Sequence, residues 1–152
     1  MSVLLAIDPG TTHSGWVIVA DPGAVLSHGI DDNGEILDLI RRHRGPVAIE
    51  RIVSYGMPVG AETFETVEWI GRFWQHAGSE RVRLIRRKDV GKHVCNDGRA
   101  KDPNIRQGLM NRLGGKALAV GTVKNPGPYY GIKSHAWAAL GVAVTALETK
   151  PQ

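Results

Sequence analysis

The chain has 152 residues, 42% of them hydrophobic, and a formal net charge of +4 at pH 7. That is the length of one ordinary domain with a sizeable core, and no run approaches the roughly 18 apolar residues of a membrane span. Its single cysteine, Cys95, excludes an internal disulfide and a cysteine-built zinc site, and it suits a reducing compartment.

The apolar run Val3 to Ile7 predicts a first strand covered on both faces. Asp8 closes it and Pro9-Gly10 force a turn. Either Asp8 merely opens that turn, or it is a carboxylate held on a rigid strand tip for metal or phosphate chemistry. Met1-Ser2 leads straight into this strand, so no signal peptide is expected. A second strand is expected over Gly15 to Ala20, a turn at Asp21-Pro22-Gly23, and a third strand over Ala24 to Ile30, making an antiparallel meander. Asp31-Asp32-Asn33-Gly34 supplies loop and cap for a helix over Glu35 to His43, whose Ile36, Leu39 and Ile40 have helical spacing. Gly45-Pro46 ends it. Val47-Ala48-Ile49-Glu50 is a short buried strand that again finishes in a carboxylate.

Beyond the loop Ser54 to Gly60, a helix is predicted over Ala61 to Ala77, with Phe64, Val67, Ile70, Phe73 and Trp74 at spacings of three and four. Glu62, Glu65 and Glu68 near its start suit the helix dipole and are expected to be solvated. Trp69, Phe73 and Trp74 offer more apolar area than one core face needs, which marks this helix as a dimer surface. A fifth strand, Val82 to Ile85, runs into Arg86-Arg87-Lys88 and a short helix over Asp89 to Val94. After the loop Asn96 to Ala100, a helix is predicted with Asp102 as N-cap and Pro103 at its first position. It runs through Ile105, Leu109 and Leu113 and stops at Gly114-Gly115. Its polar side presents Asn104, Arg106 and Gln107 for backbone phosphates.

Lys116 to Gly131 reads as an ordered, irregular loop. Ser134 is predicted to cap a last helix over His135 to Thr149, apolar almost all round from Ala136 to Val144. His135, Ala138, Ala139 and Val142 share one of its faces. No repeat or linker interrupts the chain, so residues 1–152 are expected to be a single domain.

Charge is unevenly spread. From Arg81 to Arg112 the cations are Arg81, Arg83, Arg86, Arg87, Lys88, Lys92, Arg99, Lys101, Arg106 and Arg112, against only Asp89, Asp97 and Asp102. Such a block favours a polyanionic partner, the competing reading being a solvated basic face. Asp8 and Glu50 on strand tips, with His135 on a docking helix, make a Mg²⁺-type set. A pair of such ions about 4 Å apart can activate water and stabilise the leaving oxygen of a phosphodiester. Taken singly, His135 would more often be a capping or half-buried histidine and Glu50 a strand-end surface acid.

The ordered set Ala6-Ile7-Asp8-Pro9-Gly10, Val47-Ala48-Ile49-Glu50 and His135-Ala136-Trp137-Ala138-Ala139-Leu140 resembles the RuvC family of Holliday-junction resolvases. Ala100 to Gln107 and Pro126 to Gly131 resemble phage-borne members. The resemblance implies an α/β, RNase H-like fold with a central mixed five-stranded sheet flanked by helices. It implies a homodimer making paired Mg²⁺-dependent cuts in branched DNA such as a four-way junction, with Mn²⁺ as a substitute. It implies neither membrane nor small-molecule substrate, and the cytoplasm of a bacterium or phage-infected host as location. Asp8 and Glu50 match the first two metal-binding acids, and His135 falls where the family has an acid or histidine. Lys101 and Arg106 resemble basic positions near the scissile backbone, with Lys101 catalytic. Arg87, Lys88, Lys92 and Arg99 complete the implied nucleic-acid-binding set. Classical members carry another aspartate three residues after the position of His135, where this chain has Ala138. Then either His135 with two carboxylates suffices, another acid such as Asp97 or Asp102 helps, or activity is reduced.

The expected mechanism is hydrolysis by metal-activated water without a covalent intermediate, Asp8 bridging the ions, Glu50 binding one, and His135 ligating metal or handling a proton. A ligating histidine must be neutral, so activity should fall towards pH 6. Other readings stay open. Ala138 favours a module that binds branched DNA with little cutting, and a nuclease of flaps, forks or RNA–DNA hybrids would need the same residues. Ile7 to Thr12 also resembles the phosphate-binding opening of actin-like ATPases and sugar kinases, which normally use two such domains.

Overall fold

The computed structural model describes residues 3–151. Met1 and Ser2, read above as leading straight into the first strand, lie outside the described residues. Three strands, β1 (Leu4–Asp8), β2 (His13–Asp21) and β3 (Ala24–Asp32), form the antiparallel meander. Helix α1 (Asn33–Arg42) then leads to β4 (Val47–Arg51), which runs parallel to β1. Helix α2 (Ala61–Ala77) and a 3₁₀ turn (Ser79–Arg81) lead to β5 (Val82–Arg86), parallel to β4. Four helices follow: α3 (Arg87–Cys95), α4 (Asp102–Arg112), the single turn α5 (Lys116–Ala119) and α6 (His135–Glu148). The sheet, in the order β3-β2-β1-β4-β5, is mixed and five-stranded, as the resemblance implies.

Strand alternation explains the unbroken apolar run at the start. Leu4 and Ala6 face one side, where they meet Ala48, Leu140, Ala143 and Val144; Leu5 and Ile7 face the other, with Ile49, Ile36, Ile40, Ile70 and Phe73. Both sides are helix-covered, so both sets of β1 side chains must be apolar. On the first side α6 is buried from Ala136 through Thr145. Two arginines of the basic block hold helix ends to the sheet. Arg81 donates to the carbonyls of Ile40, His43, Gly45 and Ala77 at 2.6–3.0 Å. Arg83 donates to those of Ala146, Thr149 and Lys150.

Local expectations need four corrections. Helix α4 begins one residue early: Lys101 is its N-cap, Asp102 is already helical, and Asn104 Oδ1 accepts the Lys101 N–H at 3.1 Å. Asp102 thereby takes a first-turn place, where the dipole favours its charge. Ser134 does occupy the N-cap position of α6, but its side chain makes no capping bond and its φ is +46°. Residues 116–131 are more regular than expected. Gly114 and Gly115, at φ +96° and +109°, stop α4 and turn the chain into α5, and Gly121 and Pro126 form a bridge. Tyr129, fully buried, pins this segment by donating to Pro22 O at 2.7 Å. Finally, Phe73 is a core residue rather than part of an outer surface, while Phe64, Val67 and Trp74 are exposed. Among the described residues no helix is long and apolar enough to cross a membrane.

Candidate active site

Strands β1 and β4 lie side by side with Ile7 opposite Ile49. Asp8 and Glu50, each one residue further, therefore end neighbouring parallel strands at the same edge of the sheet. Helix α6 starts above them. His135 Nδ1 lies 3.1 Å from Asp8 Oδ2, and because a carboxylate only accepts, the imidazole donates there. That leaves Nε2 of a neutral His135 with its lone pair. The Asp8 side chain is 10% exposed, and that of His135 is 64% exposed.

The first turn is held from behind by two residues that sequence reading passed over. Ser14 Oγ donates to Asn33 Oδ1 at 2.6 Å, Asn33 Nδ2 donates to Gly10 O at 3.0 Å, and Gly10 N–H donates to Ser14 Oγ at 3.2 Å. Ser14 and Asn33 are 1% and 2% exposed. A closed ring of buried hydrogen bonds fixes Pro9-Gly10, and with them Asp8, more rigidly than an open turn would. Gly15 was a second missed position. A Cβ there would lie 2.4 Å from the backbone of His135, so the first turn of α6 reaches Asp8 only because β2 has a glycine at this point. The available signal was a glycine inside an otherwise apolar strand, which marks a close backbone approach.

Electrostatics bind the group together. Burial, and then the charge of Asp8, push the Glu50 carboxyl up to about 8, against the opposing pull of Arg87. His135 is raised, first by its hydrogen bond to Asp8 and further by the charges of Asp8 and Glu50, while burial works the other way. Two sequestered carboxylates that resist sharing negative charge, with an imidazole beside them, suit a hard divalent cation. Among the described residues no three His, Cys, Asp or Glu side chains stand as a ready-made cage. The side chains are instead engaged with each other: His135 with Asp8, and Arg87 with both Glu50, at 3.5 Å, and Asp102. Asp102, on α4, is thus tied to the strand-tip acids through one guanidinium.

The basic block divides into two halves. Arg81 and Arg83 serve backbone carbonyls, Arg86 pairs with Asp89, Arg87 with Glu50 and Asp102, and Arg112 with Glu148. The remaining five, Lys88, Lys92, Arg99, Lys101 and Arg106, are exposed and have no carboxylate partner among the described residues. Lys88 and Lys92 converge beside Gly98. Lys101 stands at the N-cap of α4 and its ammonium makes no hydrogen bond to Asp8, Glu50 or His135. Arg106 lies over the Trp137 ring, 5.0 Å from its centroid. Asp97 caps its own loop through the Arg99 N–H, and Ala138 is a small buried side chain.

A five-stranded mixed sheet in this order, acids at the tips of its two central parallel strands and a buried helix across one face, defines an α/β protein of RNase H-like fold. The solved structures it matches narrow this to the fold of RuvC. One, Thermus thermophilus RuvC in complex with a Holliday-junction substrate, superposes with a TM-score of 0.65 at 22% identity, over 95% of this chain and 92% of that one. Another Thermus thermophilus RuvC structure gives 0.62 at 20% identity, over 94% and 92%. No protein-family model matches the sequence, and no curated protein matches it.

Proposed function

We propose that this chain is a structure-selective endodeoxyribonuclease that cuts Holliday junctions or related branched DNA, with residues 1–152 acting as one nuclease domain. The observation that carries the reading is the convergence of Asp8, Glu50 and His135 at one sheet edge, beside five uncommitted cations. The RuvC fold supports it. Asp8, Glu50 and His135 would hold Mg²⁺, with Mn²⁺ as a substitute. Bound there, the ion supplies water activation and neutralises charge on the phosphodiester.

The chain's own residues do the rest. Asp8, locked by the Ser14–Asn33 ring, fixes the cation side of the site. His135 Nε2 either completes the ligand set or takes a proton at the reacting edge. Lys88, Lys92, Arg99 and Lys101 position the backbone and carry no sequence information themselves. Arg87, once released from Glu50, adds to them. A homodimer through the exposed stripe Phe64, Val67 and Trp74 on α2 would present two such sites to the two strands of a junction. Gly71, in the same stripe, leaves room for a close approach. The lone cysteine and the substrate point to a cytoplasmic setting, in a bacterium or a phage-infected host.

The deciding experiment compares wild type with Asp8→Asn on labelled four-way junction, duplex and single-stranded DNA, in Mg²⁺ or EDTA. Symmetric junction cutting that needs both Mg²⁺ and Asp8 is the expected result. Ala138 favours a second reading, a branched-DNA-binding module with little cutting. Tight junction binding without cleavage, even in Mn²⁺, would establish it.

A further inference from the structure

A cleft of about 490 Å³ opens between α4 and α6, next to the strand-tip acids. Its lining is apolar at Ile105, Met110 and Trp137 and polar at Asp102, Arg106, Gln107 and Lys116. One end is closed by His135, so the cleft and the strand-tip acids share a residue. The Trp137 ring is fixed in place, its Nε1 donating to Ile132 O at 2.9 Å and its edge meeting Tyr129 at 87°. The Arg106 guanidinium rests on that ring and has no carboxylate partner among the described residues. Gln107 donates through Nε2 to Asn111, which orients its amide and leaves the carbonyl oxygen to accept.

We propose that this cleft receives one unpaired nucleobase of the DNA strand held at Asp8, Glu50 and His135. This rests on the nuclease reading. Four features of the site fit a base better than another phosphate or a peptide. Ile105, Met110, Trp137 and Ala138 offer a phosphate no hydrogen bond, whereas a base has an apolar face to lay on them and a polar edge for Gln107. A guanidinium plane backed by an indole is a stacking platform that accepts a second flat group. The volume lies in the range of small-molecule sites, roughly 300–1,000 Å³. The cleft is continuous with the candidate centre through His135, so a strand lying on the acids would pass its mouth. A base displaced at a branch point also costs less to unstack than one in intact duplex. The cleft would thereby read one nucleotide beside the cut, and Arg106 would act as a stacking partner rather than a phosphate clamp.

The test uses full-length Asp8→Asn protein, which retains the cleft, and four-way junctions carrying 2-aminopurine at successive positions around the cut site. Binding should change the fluorescence sharply at one position or two adjacent ones. That change should disappear with both Arg106→Ala and Arg106→Lys placed in the same background, because lysine keeps the charge and loses the plane. In the active protein the same two substitutions should flatten the ratio of cutting rates among the four bases at that position towards one. Junction binding with unchanged fluorescence everywhere overturns the base site and leaves the nuclease reading standing. So does an Arg106→Lys protein that behaves as wild type, since a phosphate contact would explain it. Failure to bind a junction at all overturns both.

Discussion

Helices α2 and α6 both read as strongly apolar in sequence, yet the fold uses them in opposite ways. Helix α6 is consumed by the sheet, buried without a break from Ala136 to Thr145. Helix α2 buries only Thr66, Ile70 and Phe73 and turns Phe64, Val67 and Trp74 outward. The apolar content of α6 therefore serves stability and sets where His135 stands, whereas the surplus on α2 is available to a second molecule. Apolar side chains alone do not separate these uses; the difference lies in which helix has a sheet face to itself.

Substitutions can break or sharpen that contrast. The largest effect is expected for Asp8→Asn, which should lower cutting by on the order of 10³-fold or more while junction binding in EDTA persists. It isolates the chemistry from both helices. Next is Leu140→Ala on the sheet-facing side of α6, fully buried. Removing it should cost about 2–5 kcal/mol in denaturant unfolding, and an intact midpoint would deny that α6 is core.

Gly15→Ala tests the seat of α6 itself. Its methyl would overlap the His135 backbone, so overpacking should cost about 1–3 kcal/mol. Cutting should fall about 10²-fold, read as a loss of kcat larger than any change in junction affinity. Equal cutting would mean that α6 need not sit where it does.

Glu50→Gln addresses the acid pair. A carboxyl raised from 4.5 to about 8 gives stability that is complete below pH 4.5 and lost as pH rises through 8. Replacing it should leave the Tm of metal-free protein unchanged at pH 4 and raise it by several degrees at pH 8–9. A pH-independent difference would contradict a carboxyl raised by burial and by the charge of Asp8. The smallest stability effect is expected for Val67→Glu on α2, within about 0.5 kcal/mol. The same change should convert a dimer to monomer in sedimentation at micromolar concentration, and wild type that is already monomeric there would remove α2 as an interface.

Much of this was legible beforehand because it rests on local periodicity. The run Leu4 to Ile7, the acid at each strand tip and the full extent of α2 follow from spacing and turn residues, and the element order followed from them. Positions that depend on distant partners were not. Nothing near Arg81 in the chain announces that it will cap carbonyls at Ile40 and Gly45, so the basic block looked twice as available to DNA as it is. Phe73 looked outward-facing because helical spacing gives a stripe without saying which edge of it is covered. Asp102 looked like a cap because an aspartate just before a proline is a common helix start, but the cap is Lys101, whose N–H donates to Asn104 Oδ1 and whose carbonyl accepts the Asn104 N–H. Within the candidate site, Asp8, Glu50 and His135 were singled out by strand order together with the family resemblance. The Ser14–Asn33 ring could not be, since it joins residues 19 apart that have no special spacing.

Arg87 gives the metal-free centre its own counter-ion. One guanidinium reaches both Glu50 and Asp102, so in the proposed reaction a divalent cation binding at Glu50 would take over a contact that Arg87 now makes. The displaced group belongs to α3, the helix that also carries Lys88 and Lys92. On the proposed function, a phosphate backbone that draws Arg87 away would free Glu50 for the ion, and an ion at Glu50 would free Arg87 for the backbone. Linkage requires the two effects to be equal in free energy. The same side chain would thus tie the charge of the centre to the grip on the strand, and tuning one would move the other.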